Sequence, residues 1–214
     1  MASNKVLVIG ATGLVGSQLI QYLIDDASVD QIICLVRRPI TIPSKKVSVQ
    51  VVNFLDLDKS AVLFDGVGHV FCCIGTTMKQ AKSREQFQIV DHYIPKVVAR
   101  IANDKGINAY SIVSSVGANA DARSFYLSVK GKIEDDLKKV GFETVLIYRP
   151  SLLLGDRDNI RYSEIGLSIM FKLFSWVIPK RYQPTDSDSL AKLMVKNASE
   201  PLKGVHTFEP DMIL

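Results

Sequence analysis

The chain has 214 residues, of which 47% are hydrophobic and 22% charged, and its formal net charge is +4. These values lie near the averages for folded soluble domains, and they exclude a disordered, collagen-like or disulfide-stapled protein. A chain of this length buries roughly 70% of its unfolded surface, so it needs neither a metal nor a disulfide to fold. We therefore expect one α/β domain that spans residues 1–214.

The distribution of charge argues against nucleic acid as a partner, and the apolar stretches argue against a membrane span. The only dense basic groups are the pairs at 37–38 and 45–46, and they lack the clustering of a nucleic-acid surface. The longest apolar stretch, residues 165–179, is too short to span a bilayer and is interrupted by Lys172. We predict no transmembrane segment.

The cysteines and histidines predict neither a disulfide nor a metal site. The three cysteines are odd in number, lack CxxC spacing and lie in apolar runs, namely Cys34, Cys72 and Cys73. This usage is typical of reduced, buried thiols and predicts a cytoplasmic protein. The three histidines lack the spacing of metal ligands, and structural roles are expected for His69, His92 and His206.

Short apolar runs rich in β-branched residues alternate along the chain with amphipathic stretches. The predicted strands cover residues 6–9, 32–36, 49–52, 69–74, 109–114 and 144–148. The predicted helices cover residues 15–23, 59–63, 84–105, 126–140 and 187–198. This order predicts a Rossmann-type, doubly wound and mostly parallel sheet with helices on both faces. Residues 151–214 are expected to supply a small substrate-side region, because ligands bind outside the carboxyl ends of the strands.

The segment GATGLVG follows the first predicted strand and opens the first helix. Its glycines, Gly10, Gly13 and Gly16, permit a tight turn and a close approach of the backbone to a pyrophosphate. The free N–H groups and the dipole of the helix N-terminus then attract the anion. The position of this motif at the start of an alternating chain predicts a dinucleotide-binding turn.

The end of the second strand distinguishes NADP from NAD. Asp30 lies at the spacing of an acid that binds the ribose 2′-hydroxyl, but it precedes the strand and belongs at the opposite edge of the sheet. The residues that follow the strand are Arg37 and Arg38, whose guanidinium groups suit a 2′-phosphate. We therefore predict NADP(H) as the cofactor.

A tyrosine and a lysine four residues apart follow the fifth strand. Tyr126 and Lys130 lie on one face of the predicted helix, downstream of Ser114 and Ser115. A tyrosine hydroxyl, with an ordinary pKa of about 10, donates a proton effectively near neutral pH only beside positive charge, which a lysine supplies. Ser115 is expected to hold a substrate carbonyl, with Ser114 as the alternative.

Together these residues resemble the short-chain dehydrogenase/reductase superfamily, in its small atypical branch of Tat-interacting-protein oxidoreductase-like, NAD(P)-binding and epimerase-like proteins. The resemblance covers nearly the whole chain. It rests on five segments, GATGLVGS, CCIGTT (72–77), SSVGA (114–118), YLSVKGKIE (126–134) and RPSLLLGDR (149–157).

The resemblance implies roles for individual residues. The catalytic trio would be Ser115, Tyr126 and Lys130, and the last two would also contact the cofactor. The pyrophosphate turn would be formed by Thr12, Gly13, Leu14 and Val15, and the 2′-phosphate would be bound by Arg37. The adenine would be contacted by Asn53 and Phe54. The backbone at the end of strand four would be Ile74, Gly75 and Thr76, and the wall behind the nicotinamide would be Pro150, Ser151 and Leu152.

The chain departs from the superfamily pattern in two places. Asn53 stands where relatives often carry Asp, although its amide oxygen still accepts a hydrogen bond from an adenine amine. The asparagine that many members carry in the helix after strand four has no clear match, and Asp91 and His92 occupy that neighbourhood. The sequence therefore does not identify the residues of a proton relay.

The function expected from these residues is an NADPH-dependent oxidoreductase that reduces a small carbonyl substrate by hydride transfer. Two alternatives stay open. One is an NADP(H)-binding redox sensor or protein-interaction module with little turnover, in which residues 165–179 form a docking surface; a homodimer is compatible with either. The other is a nucleotide-sugar epimerase or dehydratase, which is disfavoured because only a short segment follows Pro150.

Overall fold

The computed structural model describes residues 4–154 and 183–213. Seven strands form one parallel sheet in the order β3-β2-β1-β4-β5-β6-β9, and β7 and β8 pair in a separate two-stranded sheet. The strands are β1 (Lys5–Ile9), β2 (Gln31–Val36), β3 (Val47–Val51), β4 (His69–Cys72), β5 (Ala109–Val113), β6 (Thr144–Tyr148), β7 (Leu153–Leu154), β8 (Thr185–Asp186) and β9 (Gly204–Phe208).

Helices connect these strands on both faces of the large sheet. The α-helices are α1 (Leu14–Asp25), α2 (Met78–Ala81), α3 (Arg84–Gln88), α4 (Ile94–Asp104), α5 (Phe125–Val140) and α6 (Ser187–Ser199). A π-helical turn, Ile89–Tyr93, joins α3 to α4, and 3₁₀ segments lie at Phe54–Phe64 and Pro210–Met212.

Alternate residues of the central strands β1, β2, β4, β5 and β6 enter two separate cores, because successive side chains point to opposite faces of a sheet. In β1, Leu7 packs with α4 and α5 on one face, whereas Val8 packs with α1 and α6 on the other. Both side chains are fully buried. Such double burial explains why the strands are nearly continuous apolar runs.

The predicted fold class is confirmed, since all six predicted strands form the parallel sheet and each predicted helix has a helical counterpart. The segment 59–63 lies in the 3₁₀ stretch, and the segment 84–105 is divided by the π turn. The strand β9 was not predicted. It lies at the edge of the sheet and its residues are partly exposed, so they lack the apolar run that marks the central strands.

Two expectations concern the end of the chain. The apolar stretch 165–179 lies outside the described residues. Among the residues that are described, no helix is long and apolar enough to cross a membrane.

Candidate functional site

The glycine turn lies between β1 and α1 and packs against the end of β4. Gly10 has a φ of +86°, and a Cβ on it would lie 2.4 Å from the carbonyl carbon of Cys73. A Cβ on Gly16 would lie 2.1 Å from the carbonyl oxygen of Gly10, which also accepts a hydrogen bond from the Gly13 N–H at 3.0 Å. Larger residues at Gly10 and Gly16 would therefore push the turn away from the sheet.

Helix α1 presents its N-terminus at this turn. Gly13 is the N-cap, and among the described residues no side chain caps it, nor does an acidic residue lie in the first turn. Thr12 is exposed and Leu14 half-buried, whereas the Val15 side chain belongs to the core, so Val15 offers only its main-chain N–H. The turn therefore fits a pyrophosphate, because free N–H groups and the positive helix dipole face the position of the anion.

Two basic side chains follow the carboxyl end of β2. Arg37 and Arg38 are exposed, and neither makes a hydrogen bond or ion pair with another described residue. Asp30 lies at the opposite end of β2, where its carboxylate accepts a hydrogen bond from Asn4 Nδ2 at 3.0 Å. Asp30 is therefore not placed to bind a ribose at the carboxyl edge.

The expected adenine contacts follow β3. Asn53 is exposed, and its Oδ1 already accepts a hydrogen bond from the Leu55 N–H at 3.1 Å, which caps the 3₁₀ segment. The Phe54 side chain is buried in the core, so only its backbone is available to a ligand. Part of the acceptor capacity of Asn53 is thus used within the protein.

A buried ion pair joins Lys130 on α5 to Asp91 in the π turn. Lys130 Nζ lies 2.9 Å from Asp91 Oδ1, and their side chains are 6% and 0% exposed. The other carboxylate oxygen accepts a hydrogen bond from the Thr76 N–H at 2.9 Å. Burial lowers the pKa of Lys130, but the charges of Asp91 and Tyr126 outweigh it and leave that pKa raised.

This ion pair lies at the same sheet edge as the glycine turn. A Cβ on Gly75 would lie 3.4 Å from Asp91 Oδ1 and 3.8 Å from Lys130 Nζ, and Lys130 Nζ is 3.4 Å from the Val113 carbonyl oxygen. The loop 74–76 therefore connects Lys130 to the segment against which Gly10 packs. Tyr126 is half-buried one turn before Lys130, and its ring meets that of Phe87 edge-on at 5.7 Å.

The two serines at the end of β5 have different environments. Ser114 is buried, and its hydroxyl donates a short hydrogen bond to Glu134 Oε1. Ser115 is half-buried, and among the described residues its hydroxyl contacts only the Val116 carbonyl oxygen, at 3.4 Å. Of the two, Ser115 retains a hydroxyl that is free to bind a substrate.

Glu134 is a site residue that the sequence analysis missed. Its carboxylate accepts hydrogen bonds from Arg149 Nε at 3.1 Å and Nη2 at 2.6 Å, and Arg149 also pairs with Glu209 at 2.9 Å. These bonds raise the pKa of Arg149, against the effect of burial. The spacing Tyr126, Lys130, Glu134 on one helix face was the available signal.

Asp91 was considered only as an occupant of the missing asparagine's neighbourhood. It lies on the buried stripe of this helical segment with Phe87, Ile94 and Val98, so the signal was a lone acid on an apolar face. The neighbouring His92 faces elsewhere and pairs with Asp136 at 2.9 Å. Of these two neighbours, only Asp91 contacts Lys130.

The loop after β5 crosses α5 on its way from Ser115 to Tyr126. The Asn119 N–H donates to the Leu127 carbonyl oxygen at 3.2 Å, and the Ser128 hydroxyl donates to the Ala120 carbonyl oxygen at 2.8 Å. At the crossing, a Cβ on Gly131 would lie 2.1 Å from the Ala120 nitrogen. The missing side chain lets the loop rest on the helix.

The segment after β6 runs beside that loop. The Pro150 carbonyl oxygen accepts a hydrogen bond from the Val116 N–H at 2.9 Å. The Ser151 hydroxyl donates to the Gln183 carbonyl oxygen and is therefore engaged, whereas Leu152 exposes 47% of its surface. Leu152 thus leaves an apolar side chain open to a ligand.

Comparisons with known proteins find relatives over most of this chain. The family model described as NAD(P)H-binding matches residues 10–166. Protein FMP52, mitochondrial, from Debaryomyces hansenii is 34% identical over 206 residues, which cover 92% of this chain and 89% of that protein. Protein HTATIP2 from Rattus norvegicus is 30% identical over 167 residues, which cover 77% of this chain and 69% of that protein. The resemblance predicted from the motifs is confirmed.

Solved structures confirm the fold. The Bordetella bronchiseptica enzyme WbmH, in complex with NAD⁺, superposes with a TM-score of 0.71 at 16% identity, over 96% of this chain and 75% of that one. A UDP-glucose 4-epimerase from Thermotoga maritima, with UDP-glucose, has a TM-score of 0.71 at 13% identity, over 96% of this chain and 76% of that one.

The expectation of a cytoplasmic protein is wrong. Relatives from several yeasts, including those of Candida albicans and Saccharomyces cerevisiae, are named as mitochondrial proteins. The three cysteines are free thiols; Cys34 and Cys72 are buried as predicted, whereas Cys73 is half-buried. Reduced thiols indicate only that a compartment is not oxidising, and they do not distinguish the cytoplasm from other reducing compartments.

Proposed function

Because this chain belongs to the NAD(P)H-binding family, we propose that it is an NADPH-dependent oxidoreductase that reduces a small carbonyl compound. The observation that carries the proposal is the position of Lys130. Its ammonium lies beside the loop 74–76, which adjoins the glycine turn, and beside the end of β5, which leads into Ser115. A proton-transfer group and a nucleotide-binding turn thus share one edge of the sheet.

Each side chain has a role in this reaction. NADPH, when held by the glycine turn and the loop 74–76, would supply the hydride for the carbonyl carbon. The Ser115 hydroxyl donates a hydrogen bond to the carbonyl oxygen and so polarises it. Tyr126 donates its hydroxyl proton to the same oxygen, and the ammonium of Lys130 stabilises the resulting negative charge on the phenol oxygen until the proton returns from solvent.

The preference for NADPH rests on Arg37 and Arg38. Two exposed guanidinium groups at the carboxyl end of β2, without partners among the described residues, suit a ribose 2′-phosphate, which accepts forked hydrogen bonds. Replacing both with Ala is expected to weaken binding of NADPH at least tenfold while changing that of NADH little. Lys139→Ala, an exposed change on α5, serves as the control. Equal losses for both cofactors would remove the assignment.

The activity is tested with a panel of aldehydes, ketones and quinones, by following the loss of NADPH absorbance. The wild type is compared with Tyr126→Phe, which keeps the ring that packs on Phe87 but lacks the proton. We expect turnover to fall about 10²–10⁴-fold while NADPH still binds, since general acid catalysis contributes that much. A Tyr126→Phe protein as active as the wild type on every substrate would refute the proposed mechanism. NADPH binding without turnover of any substrate would favour a sensor module instead.

We also propose a mitochondrial location, supported by the names of the yeast relatives. Subcellular fractionation with antibody detection tests it. Recovery of the protein outside the mitochondrial fraction would contradict the proposal.

A further inference from the structure

The Lys130–Asp91 pair has a feature that the proposed reaction does not use, namely the backbone around the acid. The helical run from Arg84 to Asp104 contains one wide, π-helical turn at Ile89–Tyr93. In this turn the Ile94 N–H bonds to the Ile89 carbonyl oxygen, five residues back. Such π turns are rare and often lie at functional sites. Asp91 lies at the centre of this one.

Asp91 links three separate elements of the site. Its two oxygens contact Lys130 on α5 and the Thr76 N–H in the loop after β4, while Asp91 itself belongs to the helix between them. Its side chain is 0% exposed: Oδ2 is hydrogen-bonded, whereas Oδ1 has no hydrogen-bond partner among the described residues and is compensated by the charge of Lys130. A charge buried so deeply is tolerated only when it is paired and hydrogen-bonded.

We propose that Asp91 is a positioning residue, which holds the Lys130 ammonium in its protonated form and in place beside Tyr126 and the cofactor loop. The proposal rests on the proposed function, because it assigns Lys130 a role in proton transfer. A direct carboxylate–ammonium contact here does what a neutral side chain could not. It balances the charge of a fully buried lysine while fixing the loop at Thr76.

The charged and titratable groups around Lys130 determine what happens when Asp91 loses its charge. They are Asp91 in the π turn, Tyr126 on α5 and Cys72 on β4, and the Val113 carbonyl oxygen also faces Nζ. Burial raises the pKa of the Cys72 thiol to about 11, so this group is neutral between pH 7 and 9.5. When Asn replaces Asp91, the effect of burial on Lys130 therefore outweighs the remaining charges and lowers the pKa of Lys130.

The main test is urea unfolding of Asp91→Asn in the absence of cofactor, at pH 7 and pH 9.5. At pH 7 the midpoint should fall, because Lys130 is left buried and charged. On raising the pH, the folded variant releases the Lys130 proton before the unfolded chain does, so its stability rises relative to that of the wild type. We expect the difference between the two midpoints to narrow at pH 9.5. A difference that is the same at both pH values would overturn the proposal.

Two further variants complete the test. Asp91→Asn combined with Lys130→Met should regain much of the lost stability at pH 7, because no unpaired charge remains. If Asp91→Asn alone does not fold, the double variant decides the matter. Recovery of folding in the double variant supports the proposal, and failure to recover overturns it. Asp65→Asn is the matched control, since it breaks an exposed pair with Lys105 at 2.6 Å and should change the midpoint little at either pH.

A kinetic readout separates this role from the proposed function. With any substrate found in the panel, the basic limb of the pH–rate profile of Asp91→Asn should move to lower pH as Lys130 loses its proton. If the unfolding signature is present but no substrate is ever turned over, only the proposed function fails. If the enzyme is active and neither the midpoints nor the pH profile respond as stated, only the role of Asp91 fails.

Discussion

Gly131 offers a prediction in which two well-known effects have opposite signs. In a helix interior, replacing Gly with Ala normally stabilises a protein by up to about 1 kcal/mol. In α5 the added Cβ would lie 2.1 Å from both the Ala120 nitrogen and the Asn119 carbonyl carbon, far inside ordinary contact distances of 3.4–4 Å. Both neighbours are backbone atoms, so the loop itself must move.

The expected change follows from these two effects. Overpacking of this kind costs typically 1–3 kcal/mol, and the severe overlap places Gly131→Ala at the upper end, so a net loss of about 2 kcal/mol remains. For a chain of this size that corresponds to a fall in Tm of about 4–8 °C. Because the displaced loop leads from Ser115 to Tyr126, turnover should fall as well.

Thermal unfolding followed by circular dichroism measures the effect. Lys132→Ala, an exposed change at the next position of the same helix, controls for the response of α5 to alanine and should alter Tm little. A Gly131→Ala protein with a Tm equal to or above that of the wild type would show that the loop does not rest on the helix, and it would refute the reasoning.

Three further predictions concern the site and the core. Ser115→Ala should lower turnover about 10²–10³-fold with little change in stability, whereas Ser114→Ala should cost about 1 kcal/mol of stability because Glu134 loses a donor; equal effects of the two changes on turnover would contradict the assignment of Ser115. Glu134→Ala should destabilise by about 3 kcal/mol in urea unfolding, at the lower end for a broken buried pair since Arg149 keeps Glu209; a loss below 1 kcal/mol would show that the pair is not structural. Burial lowers the pKa of His69 to about 3. Between pH 6.5 and 3 the unfolded chain therefore binds a proton that the folded chain does not. The free energy of unfolding should thus fall by about 1.4 kcal/mol for each unit by which the pH is lowered. His69→Phe should lose this slope in unfolding measured across that pH range, and an unchanged slope would assign it to other groups.

Local patterns were sufficient to predict six of the seven strands of the parallel sheet, the main helices and the glycine turn. Gly10 and Gly16 have no room for a side chain, because atoms a few residues away or at the end of the adjacent strand lie too close. The glycines of the motif therefore indicate these contacts directly. The position of the basic pair after β2 could likewise be predicted, because residues that follow a parallel strand lie at the carboxyl edge of the sheet.

The interactions that hold α5 could not be predicted in the same way. Lys130 meets Asp91, and Glu134 meets Arg149, across elements that the chain brings together only in the folded state. Helical periodicity also cannot reveal a π turn, since one additional residue in a turn leaves the apolar stripe recognisable. The choice between Ser114 and Ser115 depended on Glu134, so it too required the tertiary structure.

The central pairing of the sheet has a consequence for how the protein folds. β1 pairs with β4, which is far away in the sequence, and the contact of Gly10 with Cys73 exists only after that pairing has formed. Non-local contacts of this kind form slowly, because a long loop must close first. A dinucleotide bound at this turn and present at a hundred times its Kd would add about 2.7 kcal/mol to the stability of the folded chain. Its supply would then affect how much of the β1–β4 pairing is formed at any moment.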